Sequence, residues 1–139
     1  MWLGFPYPIV KTPNGYFGSN STDIDQIKAN LLQLLLTYPG ERVMLPDFGT
    51  PLQDLIFEPN NSTLAARAKK MVIDSISMWE PRIAVDQINV TSTVPTNILS
   101  PDDDLTQTNA ILTITIQFRN PNNITETEKL VLEVPLPGA

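Results

Sequence analysis

The stretch Ser77–Val85, SMWEPRIAV, decides how the chain is to be read. Before it, Leu64, Ala65, Ala68, Met71, Val72, Ile76 and Trp79 recur at helical spacing, with Arg67, Lys69, Lys70 and Asp74 off that stripe. After it the period becomes two. Ile83 and Val85 share one face and Ile88 and Val90 share one, but the two pairs have opposite parity. A β-bulge near Asp86–Gln87 brings all four to the same side. Pro81 disfavours the α region at Glu80, so the helix ends there. Lacking an N–H, Pro81 can also open a strand without wasting a donor. Trp79 completes the helical stripe and belongs to the core. Arg82 is the residue this helix-to-strand corner does not require, and the simplest reading leaves it exposed.

Upstream, Thr22 and Asp25 fit a capping box that starts a helix. Ile24, Ile27, Leu31, Leu34 and Leu35 form its apolar face, and Leu32 and Leu36 widen it toward burial on more than one side. Pro39 and Gly40 stop it. The opening segment, with Pro6, Pro8 and Pro13 among aromatic residues and a turn at Pro13-Asn14-Gly15, is an irregular hairpin or arm over residues 1–20. Between the helices, Pro46, Gly49 and Pro51 exclude long regular structure. A short strand around Met44 or Leu45 and a helical turn opened by Pro51 are expected there. Asn61 or Ser62 caps the second helix.

Downstream, NAILTITIQFRN is the clearest strand. Ala110, Leu112, Ile114, Ile116 and Phe118 face one way, and Thr113, Thr115, Gln117 and Arg119 the other. A turn at residues 120–123 leads to a returning strand, ITETEKLVLEVPL. The polar stretch 95–108 is a loop; its Asp102-Asp103-Asp104 lacks the spaced ligands and glycine of a calcium loop. The fold class is α+β: two main helices packed on a small, mostly antiparallel sheet with a C-terminal β-hairpin, in a single domain over 1–139. Leu34, Leu35, Met71, Val72, Ile76, Leu112, Ile114 and Ile116 are expected to share one core.

Composition removes several function classes. The 139 residues carry a net charge of −6, no cysteine and no histidine. An acidic chain without a run of Lys or Arg is not built to grip nucleic acid. No disulfide, thiolate metal site, thiol nucleophile or histidine base is available, and no metal or cofactor constellation stands out. The N-terminal segment has no basic n-region, and no apolar run is long enough to span a bilayer. Carboxylate chemistry is the remaining enzymatic route. Glu41, Asp47, Glu58 and Glu80 lie in or beside loops, and two such acids can hydrolyse a glycosidic bond. Nothing in the sequence brings any two together.

Taken in order, the motifs resemble a known family. Gly40-Glu41-Arg42, Asp47-Phe48-Gly49, Leu55 to Phe57 and then Glu80-Pro81-Arg82 resemble the baseplate wedge and sheath-initiator family of contractile phage tails, the T-even gene-25-like family. That family also includes the corresponding subunit of type VI secretion systems. The likeness runs from about residue 20 to 119. It implies a structural, non-enzymatic subunit in the tail baseplate of a virion, assembled in the host cytoplasm. The implied partners are other wedge proteins and the tail sheath protein, with the tail tube or hub as a further contact. It also implies docking on the wedge core through Glu80, Pro81 and Arg82, and Glu80 and Arg82 are therefore expected to be at least partly exposed in the isolated chain. Because sheath rings join by exchanging strands, the hairpin is expected to pair with the first ring through strands carrying Thr113, Thr115, Gln117, Val131 and Glu133. The family is sometimes labelled lysozyme-like, so a glycoside hydrolase using paired carboxylates is the alternative.

Overall fold

The computed structural model describes residues 4–58, 62–93, 110–120 and 123–136. Two helices, α1 (Asp23–Leu36) and α2 (Ser62–Trp79), flank a 3₁₀ helix at Leu52–Phe57. Three strands follow, β1 (Ala84–Thr93), β2 (Ala110–Asn120) and β3 (Asn123–Leu136). They form one antiparallel sheet in the order β1-β2-β3. The α+β architecture is as expected, with β2 and β3 as the C-terminal hairpin.

The change of period at the corner has its structural counterpart. The Glu80 N–H still donates to the Ile76 carbonyl at 2.9 Å, and the chain then leaves the helix at Pro81. In β1, Val85 pairs with Phe118 and Gln87 with Gln117, and the register shifts between them. Asp86 is the extra residue. Its insertion lets Ile88 oppose Ile116 and Val90 oppose Ile114 on the same side as Val85.

That side is the core. Leu112, Ile114, Ile116 and Phe118 of β2 and Leu130 and Leu132 of β3 are buried against Ile27, Leu31, Leu34 and Leu35 of α1 and Leu64, Ala68, Val72 and Ile76 of α2. Met71 packs at its margin, so the expected residues do share one core. Each buried Leu or Ile contributes about 1.5–3 kcal/mol of transfer free energy. The opposite face of the sheet carries the alternating polar residues. Across the strands Thr91 opposes Thr113, which opposes Glu133, and Asn89 opposes Thr115, which opposes Val131.

Thr22 caps α1, its Oγ1 accepting the Asp25 N–H at 3.2 Å. The opening segment is an irregular hairpin held by bridges at Gly4–Asn20 and Lys11–Phe17, with Gly15 at φ +84° in the turn after Pro13.

Two expectations fail. Leu36, the last residue of α1, is exposed. No strand forms around Met44 and Leu45. The Gly40 N–H donates to the Pro46 carbonyl at 2.7 Å, which closes the segment into a tight loop. Val43 and Met44, at 93% and 92% exposed, stand at its tip. The acidic loop 95–108, the Asn61 cap and the middle of the β2–β3 turn lie outside the described residues.

Candidate functional site

The Glu-Pro-Arg corner is built by three elements. Trp79 ends α2 with its indole against the core, which places Glu80 beneath the surface, 5% exposed. The turn at Pro81-Arg82 folds the guanidinium back over that carboxylate. Arg82 Nε donates to Glu80 Oε1 at 2.5 Å and Nη2 to Oε2 at 2.9 Å, a two-point pairing in which the Arg82 side chain stays 53% exposed. From α1, Asn30 Nδ2 donates to Glu80 Oε2 at 3.1 Å. Burial by itself would raise the Glu80 carboxyl's pKa. The hydrogen bonds from Arg82 and Asn30, with the Arg82 charge, outweigh it and hold the group below the ordinary glutamate range.

The polar contacts continue beyond the corner. Asn30 Oδ1 accepts from Gln26 Nε2 at 2.8 Å, and Gln26 Oε1 accepts from Asn20 Nδ2 at 3.0 Å. Asn20 Nδ2 also reaches the Phe5 carbonyl at 3.2 Å. A file of side chains along α1 thus connects the base of the N-terminal hairpin to Glu80. Gln26 and Asn30 sit four residues apart beside the apolar stripe, where a polar pair on one helix face was the available signal. Sequence reasoning missed it.

A second segment meets the corner. Gly49, at φ +129°, lies so close to the end of α1 that a Cβ would overlap the Thr37 carbonyl oxygen. Next to it the Thr50 N–H donates to that same carbonyl at 2.9 Å, and Ser75 Oγ of α2 donates to the Gly49 carbonyl at 3.3 Å. This close approach turns Phe48 onto Trp79, edge to face at 5.2 Å between ring centroids. The Arg42 guanidinium lies over the other part of that assembly, 4.1 Å from the Phe48 ring centre. Asn30, Gln33, Leu34, Arg42, Phe48, Trp79 and Glu80 line a cleft of about 160 Å³. One residue from each of the Gly-Glu-Arg, Asp-Phe-Gly and Glu-Pro-Arg motifs, Arg42, Phe48 and Glu80, therefore lines the same cleft.

The structure gives each candidate acid its own surroundings. Glu80 is buried, correcting the expectation that it is partly exposed, and Arg82 is its counter-ion rather than a spare residue. Glu58 is ion-paired with Arg67. Glu41 accepts the Tyr38 N–H at 3.0 Å and Asp47 is exposed. Among the described residues no group of three or more His, Cys, Asp or Glu is placed to hold a metal, and no helix is long and apolar enough to cross a membrane. The strand residues Thr113, Thr115 and Gln117 lie half-buried on the outer face of the central strand, and Val131 and Glu133 lie exposed on β3. β3 is an edge of the sheet, and among the described residues the N-terminal hairpin's bridges are to itself, not to β3.

The family model for baseplate wedge protein gp25 matches residues 21–122. The chain is 28% identical over 116 residues to baseplate wedge protein gp25 of Enterobacteria phage T4, covering 84% of this chain and 78% of that protein. It is 30% identical over 71 residues to baseplate protein W of Escherichia phage P2, covering 51% of this chain and 62% of that protein, less than two thirds of its length. Among solved structures, a crystal structure of a "putative tail lysozyme" from Geobacter sulfurreducens superposes with a TM-score of 0.67 at 27% identity, over 84% of this chain and 94% of that one.

Proposed function

The chain belongs to the baseplate wedge protein gp25 family, and from that premise we propose that it is a structural wedge subunit that docks in the baseplate of a contractile tail and starts the tail sheath. Docking runs through the corner. Pro81 fixes the turn, Glu80 holds the Arg82 fork in one orientation, and the exposed half of that guanidinium meets a polar site on a neighbouring wedge protein. Sheath initiation runs through the hairpin. The observation that carries this reading is the edge position of β3, whose inner face is sealed into the core by Leu130 and Leu132. An edge strand leaves main-chain donors and acceptors along one side, and a strand from the first sheath ring can add there. The outer-face residues Thr113, Thr115, Gln117, Val131 and Glu133 then set its register.

Reconstitution on purified baseplates tests both halves. Arg82→Ala is expected to lose wedge attachment. A proline at whichever of Val131 or Leu132 carries its N–H to the open edge is expected to attach and fail to nucleate sheath. Leu132 is buried, so a proline there also disturbs packing, and unfolding of the free variant is the necessary control. Full-length sheath on an open-edge proline variant that folds would remove the hairpin from the mechanism.

The likeness to the Geobacter protein keeps a glycoside hydrolase as the second reading. A general acid in such an enzyme needs a raised carboxyl pKa, whereas Glu80 is held low by Arg82 and Asn30. Clearing of a peptidoglycan suspension by the purified chain would establish the hydrolase; the structural reading predicts none.

A further inference from the structure

We infer that the loop Gly40–Phe48 is a second docking element, in which Arg42 receives an Asp or Glu side chain of a partner protein while Val43 and Met44 are covered by that partner's aliphatic residues. The inference rests on the chain being a docked baseplate subunit, and adds a surface and a partner chemistry to it.

Arg67, Arg82 and Arg119 each pair with a carboxylate of this chain. Arg42 makes no ion pair among the described residues, although the chain as a whole is acidic. The neighbouring acids are otherwise engaged: Glu80 with Arg82 and Asn30, Glu41 with the Tyr38 N–H, and Asp54 with the Tyr38 hydroxyl at 2.9 Å. Asp47, at the far end of the same loop, is exposed and forms no ion pair with Arg42. The side chain is nonetheless held in place. It stacks on Phe48, which is itself fixed by Trp79, and its Nη2 lies 3.5 Å from Gln33 Oε1. A guanidinium stacked on a ring and left with unused donors is prepared for a two-point carboxylate contact.

Hydrophobicity supplies the second half. Val43 and Met44 are the most exposed large apolar residues described, directly after Arg42 in a loop closed at its base by the Gly40–Pro46 hydrogen bond. Their exposure is a consequence of a tight, well-anchored turn rather than of loose chain. Aliphatic side chains held out in water beside an unneutralised cation match a partner segment in which an acid is flanked by aliphatic residues.

The test replaces Met44 with the photo-cross-linking residue p-benzoylphenylalanine in the full chain and irradiates assembled tails. The expected product joins this chain to another baseplate protein at a segment carrying an Asp or Glu beside aliphatic residues. Arg42→Glu is expected to lower incorporation into tails at least about tenfold, equivalent to about 1.4 kcal/mol. Arg42→Lys retains part of it, and changing the partner acid to Lys restores the Arg42→Glu chain. The unfolding midpoint of each free variant separates docking from folding. An unmodified chain absent from tails would sink the wedge assignment itself. A chain present in tails whose residue 44 yields no cross-link, or one to a segment without an acid, overturns this inference alone. So does failure of the charge reversal to restore incorporation.

Discussion

The Glu-Pro-Arg corner and the outer edge of β3, the two surfaces we propose for partner binding, are built in opposite ways. In the corner, the carboxylate of Glu80 is buried and satisfied by Arg82 and Asn30, so the arginine proposed to dock is also part of the structure. At the edge, Leu130 and Leu132 are buried on the inner face, while Val131 and Glu133 are exposed on the outer one. Substitutions in the corner therefore mix folding with docking. Substitutions on the outer face of β3 report on assembly almost alone.

Stability measurements on the free chain can break that contrast. The reference is Ile114→Ala, at the centre of the core between Val90 and Leu132, expected to cost about 2–5 kcal/mol in chemical unfolding. Separate melting of helical and strand parts would contradict the shared core. Glu80→Ala comes next, at about 1–3 kcal/mol, because it strands the Asn30 amide and frees Arg82. Arg82→Ala leaves a buried carboxylate with Asn30 alone, but solvent reaches the half-exposed guanidinium site, so about 1 kcal/mol is expected. Val131→Ala should stay within about 0.5 kcal/mol. A loss there as large as in the corner would mean that the outer face is structural after all.

Acid sharpens the same contrast. The Glu80 pKa is lowered on folding, so the corner's contribution is complete above the ordinary glutamate value and is lost as pH falls through the depressed folded value. Unfolding measured from about pH 6 down to about pH 3 should show a steeper loss in the native chain than in Glu80→Gln. Identical slopes would show that the Glu80–Arg82 pair has no energetic weight.

Much of this was legible in the residues. The opposite parity of Ile83/Val85 and Ile88/Val90 required one extra residue, and Asp86 is that residue. The strand NAILTITIQFRN announced which face is buried, because alternation maps directly onto the two sides of a sheet. The loop around Met44 and Leu45 was misread, since an apolar triplet suggests a strand while the Gly40–Pro46 closure that prevents one is a backbone hydrogen bond that side-chain periodicity does not report. Asn30 was missed for the same reason: its partner Glu80 is fifty residues away, and no local period reports such a pair. Arg82 looked superfluous only because the burial of Glu80 was not visible from sequence.

The most direct test of the central claim, that β3 is the edge on which sheath forms, is amide hydrogen exchange along residues 130–134. It would be measured in the free chain and in baseplates carrying the first sheath ring. In the free chain alternate amides should exchange slowly, bonded to β2, and the intervening ones fast, facing solvent. After the first ring is added, the fast set should become protected while the slow set is unchanged. If the fast amides of β3 exchange at the same rate with the sheath ring in place, strand addition at this edge does not occur and the account of sheath initiation is wrong.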